Sequence, residues 1–510
     1  MGSPFDDQAA EYLVLVNGEG QHSLWPASLR PPDGWRTGFG PAGRDDCLTY
    51  VNDAWRDLRP RSLAVKADPP ASRGQEFLCA FDRGELEGSF GRWHTLVNGW
   101  RVTGELDLPA LQLALDDLVA RHEALRTEIV HYDGQAHQRI QPPSSPELVV
   151  RDLDGSQPRE AAAETLLNEV DAEPFGLGRL PHIRAVVGRF DQTDAMLVLA
   201  THHSATDYWS MQVLVRDLAM LYAARVGRPA GDLPPAPQYR EYAAWQRATE
   251  DSPLVRQARA YWREQLRGAE LLAIPTDRPR PRGVPNTYGV HRFIAAADVT
   301  AAARQLARST RSTPFMVLLA AYQLLLYRRT GVTDLVVPTF TAGRDARFQD
   351  TVGIFFNFMP LRTDLTGCAT LRELIARTRS TCLQAQAHDI PFPLIADEAP
   401  GIGRQLALDD RTVVTFELLQ YGANVDTIRV GGLTITELRR RVRSQTSSSH
   451  IPDGGLWAMD LLPDGELAGS LKYNRNLLDE STVVDFTSEY CEVLRALVAE
   501  PDRAPQDLSG

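Results

Sequence analysis

The sequence predicts an α/β protein of two lobes, preceded by a small α+β unit with three short strands and one helix. Three observations carry this expectation. Strands and helices alternate beyond residue 76, the buried run Ala195–Thr201 passes directly into a helix, and a Pro-rich stretch divides an opening unit from the rest.

In the opening unit, Glu11–Val16 reads as a strand and Asn17-Gly18-Glu19-Gly20 as its turn. Shorter strands are expected around Ser23–Trp25 and Trp35–Phe39. Cys47, Leu48, Val51 and Trp55 then recur at helical spacing. Ala67–Gly74, with paired prolines, reads as a linker. Beyond it, Leu108, Leu111, Leu115, Leu118, His122 and Leu125 mark one face of a helix capped by Asp107, with Pro109 in its first turn. After the double histidine, Met211, Leu214, Val215, Leu218 and Leu221 mark the inward face of another. A second lobe is expected to open near Pro275–Pro281, with a helix over Pro314–Tyr327 and a strand over Asp334–Thr339. The boundaries drawn are 1–66, a linker at 67–75, a first lobe at 76–255 and a second at 256–510.

Composition narrows the function. A net charge of -12, with the acidic residues dispersed, argues against nucleic-acid binding and gives no reason to expect attraction to anionic membranes. No apolar run is long enough to span a bilayer, and Met1–Asp7 lacks the features of a secretory signal. Five scattered cysteines fit neither a disulfide framework nor a zinc site. A cytoplasmic protein is expected.

The chemistry centres on His202-His203-Ser204-Ala205-Thr206-Asp207, at the end of a strand and the start of a helix. Side chains alternate there, so one histidine can face a cavity while the other is buried. Asp207 is placed to hold the turn or pair with a cation. Alone, such a pattern is a weak signal.

Context strengthens it. His202 to Ser210 resembles the HHxxxDGxS signature of nonribosomal-peptide condensation domains. Arg121–Thr127 resembles the family's RHExLRT segment and Tyr239–Trp245 its YxDYAxW segment. Val352–Asn357 resembles VGxFVN, and Asp389–Phe392 resembles DxPF, all in the family's order. The resemblance covers roughly residues 76–505. Independently, Asn17–Pro26, Pro32–Trp35, Cys47-Leu48 and Trp55–Leu63 resemble an MbtH-like protein.

The resemblance implies two chloramphenicol-acetyltransferase-like lobes in a V, with a tunnel between them. It implies acyl transfer from a carrier-bound phosphopantetheine thioester to an amine, with amide formation. Carrier proteins would be met in trans, and the protein itself would bind no cofactor or metal. The catalytic motif is His203 with His202 and Asp207. His203 is assigned as base, as positioner of the nucleophile or as stabiliser of the tetrahedral intermediate. His202 is assigned a structural role, and Asp207 a salt bridge to Arg280. Tyr208, Ser210 and Asn357 are assigned to the substrate tunnel, with a structural hydrogen bond weighed for Asn357. Ser23, Leu24, Trp25 and Trp35 are expected to dock an adenylation domain, although both tryptophans equally suit a small core.

Departures from the pattern matter. Tyr208 stands where the family has glycine, Phe358 where it has threonine, and Phe77–Glu85 hardly resembles the opening SxAQxRLW segment. These point to an unusual or freely diffusing acceptor, amine or alcohol. Ester formation and a non-catalytic recruitment module are the alternatives, and the presence of both His203 and Asp207 favours an enzyme.

Overall fold

A computed structural model describes residues 10–55, 60, 68–82, 89–153, 155–175, 180–229, 231–419, 427–451 and 454–508. The expectations on 56–59, 61–63 and 83–85 lie outside the described residues. The chain divides into two compact units. One holds the described residues up to Ala71 together with Glu128–Ile140, and the other holds Ser72–Thr127 and the chain from Gln141 onward.

The first unit contains the expected three-stranded antiparallel sheet, with Tyr12–Asn17 between His22–Pro26 and Trp35–Ala42. Among its described residues the helix Arg44–Ala54 places Cys47 against Tyr12 and Val14 in a small core. The strand alternation decides where the docking candidates lie. Val14 pairs with Leu24 on the helix side, where Leu24 packs on the core. Ser23, Trp25 and Trp35 pair with Leu15, Leu13 and Asn17, which places them on the opposite face. Leu24 therefore does not share a surface with the other three. Both tryptophans are half-buried and stand outside the core cluster. The linker expectation needs correction: Pro70 bridges His137 and Ala71 donates to Ala136 O, so this stretch is held by backbone pairing.

The second unit carries two larger sheets. A six-stranded sheet runs in the order Thr427–Val430, Leu433–Glu437, Thr95–Thr103, Asp194–His202, Ile183–Arg189 and Glu147–Asp152. A five-stranded sheet runs Ala273–Pro275, Arg411–Leu418, Gly455–Leu461, Leu467–Asn474 and Tyr288–Ala295. Beside it lies the hairpin of Asp334–Thr341 and Asn357–Asp364. Each sheet packs helices over apolar clusters, and the buried Pro314–Thr330 helix is central to the second. The helix expected from Leu108 runs Leu108–Arg121, capped by Asp107, with His122 and Leu125 carried into a following turn. Strand pairing crosses the lobe division expected at 255. Leu433–Glu437 returns to pair with Thr95–Thr103 and extends the first sheet. Among the described residues, no helix is long and apolar enough to cross a membrane.

Candidate active site

The strand Asp194–His202 is buried along its whole length, at the middle of the six-stranded sheet. Its last residue, His202, is buried with both ring nitrogens engaged: Nδ1 with Ser204 Oγ at 2.7 Å and Nε2 with Gly91 O at 3.1 Å. Burial pushes its pKa down to about 3, so the ring is neutral and structural.

His203 emerges half-buried just beyond the strand. Its amide donates to His94 O, and its Nδ1 lies 2.8 Å from Thr206 O. A carbonyl oxygen only accepts, so Nδ1 carries the proton and Nε2 keeps its lone pair. The ring packs edge-on against Phe356 (5.2 Å) and beside His94 (4.9 Å). Among the described residues nothing hydrogen-bonds Nε2, and the residue lines a cavity of about 360 Å³. Burial lowers the pKa of His203, which keeps the imidazole a neutral acceptor at pH 7.

A pH dependence follows from these rings. In the unfolded chain each histidine takes up a proton near pH 6.5, while folded His202 resists protonation down to about 3 and His94 is likewise held neutral by burial. The unfolded state thus binds more protons in that window, and stability must fall as pH drops from about 6.5 towards 3. Thermal denaturation followed across pH 7.5 to 4.5 should show a steadily decreasing Tm. If His203 is the group that must stay neutral for activity, the acid limb should lie below the ordinary histidine value near 6.5. A limb above 7 would contradict this assignment.

Asp207 caps the helix Tyr208–Arg225 by accepting from Ser210 N at 2.7 Å. Its other oxygen accepts from Phe355 N at 3.1 Å. The cation paired with it is Arg344, at 2.8 Å, not the expected Arg280. Arg280 instead donates to Leu408 O. The reason is topological. Arg344 follows the strand Asp334–Thr341, which pairs with the strand begun by Asn357. Its guanidinium also donates to Phe348 O, Thr351 O and Ser210 Oγ, and lies 3.9 Å from the Phe355 ring centroid. One cation therefore ties the VGIFFN segment to the histidine motif. Sequence reasoning missed Arg344 because nothing in its neighbours marks it as a partner of Asp207.

The remaining predicted residues separate. Tyr208 lines both the 360 Å³ cavity and a neighbouring one of about 770 Å³, and donates to Glu437 at 2.5 Å. Glu437 comes from the crossover strand and is also held by Gln212 and Asn98. Ser210 does not belong to the tunnel. It is fully buried, exchanging hydrogen bonds with Gly353 O and N. Asn357 borders the larger cavity, yet its amide is committed to Asp389, Ile390 O and Phe392 N, a structural clamp between two of the matched segments. The two cavities share Phe77, Asp207, Tyr208, Phe340, Phe356, Phe358, Glu417 and Leu419 in their walls, and the shared Phe356 ring contacts His203.

Among the described residues, His203 thus presents a neutral ring with an unbonded acceptor nitrogen to the 360 Å³ cavity, and its neighbour Phe356 borders both cavities. The chain belongs to the condensation domain family of nonribosomal peptide synthetases, whose model matches residues 99–509, and residues 1–67 match the MbtH-like protein family. It is 33% identical over 447 residues to a linear gramicidin synthase of Brevibacillus parabrevis, covering 86% of this chain and 8% of that protein. The chain thus spans less than a tenth of the length of the first curated relatives it matches. Among solved structures it is similar to SgcC5 of Streptomyces globisporus, in complex with (R)-(-)-1-(2-naphthyl)-1,2-ethanediol and sucrose. The TM-score is 0.82 at 43% identity, covering 86% of this chain and 100% of that one. It is also similar to the X-domain from teicoplanin biosynthesis in its complex with OxyB, with a TM-score of 0.69 and 25% identity over 86% of this chain and 95% of that one.

Proposed function

We propose that this chain transfers an acyl or aminoacyl group from a carrier-bound phosphopantetheine thioester to an amine acceptor, forming an amide. The observation that carries the reading is the free Nε2 of His203 in the smaller cavity, beside Phe356, which borders both cavities. The acceptor amine donates a hydrogen bond to Nε2 as its nitrogen attacks the thioester carbonyl. The C–N bond forms while the imidazole takes the proton. The tetrahedral intermediate then collapses, the C–S bond breaks, and the pantetheine sulfur leaves with that proton. Because the thioester is already activated, alignment is the larger contribution, about 7–11 kcal/mol in well-oriented intramolecular models. The carriers act in trans, and the MbtH-like unit recruits an adenylation domain through the face bearing Ser23, Trp25 and Trp35.

A second reading concerns only the attacking atom. SgcC5 binds an aryl ethanediol, and a hydroxyl is as well matched to Nε2 as an amine. Ester formation onto an alcohol therefore stands beside amide formation. The test is direct: a carrier loaded with an acyl thioester is offered an aryl ethanediol and the matching amino alcohol, and the carrier mass is followed. Faster unloading with the amine supports the amide reading, and faster unloading with the diol supports the ester. No unloading by any acceptor would leave a recruitment module, as the OxyB-bound X-domain suggests.

A further inference from the structure

Glu417 lies next to the end of the strand Arg411–Leu418 and lines both cavities. Side-chain alternation puts Thr415 and Glu417 on the cavity face, while Phe416 turns into the core with fully buried Trp457. The next positions across the sheet from Glu417 are small, Ala458 and then Ser470, so nothing long covers the carboxylate from that side. Among the described residues Glu417 makes no hydrogen bond and no ion pair. The cation that most influences it, Lys472, donates instead to Ser449 Oγ at 2.6 Å. Burial lifts the Glu417 carboxyl to about 7, against the pull of the nearby Lys472 cation.

Most of the other shared walls are aromatic, with Asp207 and Leu419 completing them. Phe340, Phe356 and Phe358 line both cavities, with Phe340 edge-on to Phe356 at 5.0 Å and to Phe358 at 5.8 Å. Phe356 also contacts the His203 ring. Phenyl faces attract cations, and a desolvated carboxylate demands one. A neutral apolar substituent would use the rings and leave Glu417 without a partner. A positively charged one uses both.

We infer that Glu417 and the rings of Phe340, Phe356 and Phe358 form a subsite for a non-reacting ammonium group on a substrate, beside the reacting atoms at His203. This deepens the proposed acyl transfer and rests on it for the identity of the substrates. The group is either the free amino group of an aminoacyl donor or an extra amine on the acceptor.

Binding to the full chain, measured by calorimetry, separates these sources without needing turnover. The donor probes are an aminoacyl-pantetheine amide and its N-acetyl form. The acceptor probes are an aryl ethanediol with and without an aminomethyl group on the ring. Wild type should prefer the aminated member of one pair by about tenfold or more. The preference should collapse towards parity in Glu417→Gln and return in part in Glu417→Asp, which keeps the charge. The inference is overturned if wild type shows no preference in either pair, or if the preference survives Glu417→Gln. A preference found in a chain that transfers no acyl group would sink the proposed reaction and leave the subsite standing.

Discussion

Replacing His203 with alanine should slow carrier unloading by about 10²–10⁴-fold, the usual contribution of a positioned acid–base group. On the proposed mechanism the loss should appear in kcat, because the ring acts on the substrate through the proton it accepts. Tm should change little: the side chain is half-buried, and its hydrogen bond to Thr206 O spans only three residues. A slow residual rate is expected, since alignment of the two substrates survives the substitution. Single-turnover unloading of an acylated carrier gives the comparison. Equal rates for wild type and His203→Ala would remove the histidine from the chemistry.

The second large effect belongs to Asp207. Its carboxylate accepts from Arg344, from Ser210 N and from Phe355 N, and both members of the ion pair are almost wholly buried. Asp207→Ala leaves Arg344 charged and unpaired in the interior and removes a helix cap. Breaking such a pair costs about 3–5 kcal/mol. Arg344→Ala should cost a comparable amount and also release the backbone carbonyls of Phe348 and Thr351. Activity should fall with stability in both variants, because the pair joins the histidine motif to the segment carrying Phe355 and Phe356. Arg280→Ala is the contrast, expected to stay within about 1 kcal/mol of wild type. Denaturant midpoints of the three variants decide the matter. An Arg280 variant as damaged as Asp207→Ala, with Arg344→Ala nearly neutral, would reverse the pairing described here.

The MbtH-like unit shows how far pattern alone reaches. Strand alternation in Ser23-Leu24-Trp25 already implies that Leu24 points away from its two neighbours. Which face holds the core became definite only when the helix Arg44–Ala54 settled on the side of Tyr12 and Val14. The two tryptophans could therefore not be separated from a core role by composition.

The same division runs through the condensation domain. Local chemistry made the strand into His202, the Asp207 cap, the following helix and the inequality of the two histidines legible in sequence, because each depends on neighbours a few residues away. Strand alternation and capping bonds are short-range and leave little choice. The partner of Asp207, the arrival of Glu437 at Tyr208 and the placing of Glu417 among phenyl rings were decided only by the tertiary structure. Arg344 lies 137 positions from Asp207 and Glu437 lies 229 from Tyr208. Sheet order and the crossover strand bring these residues together. A charge in a sequence carries no mark of the opposite charge that packing will set beside it.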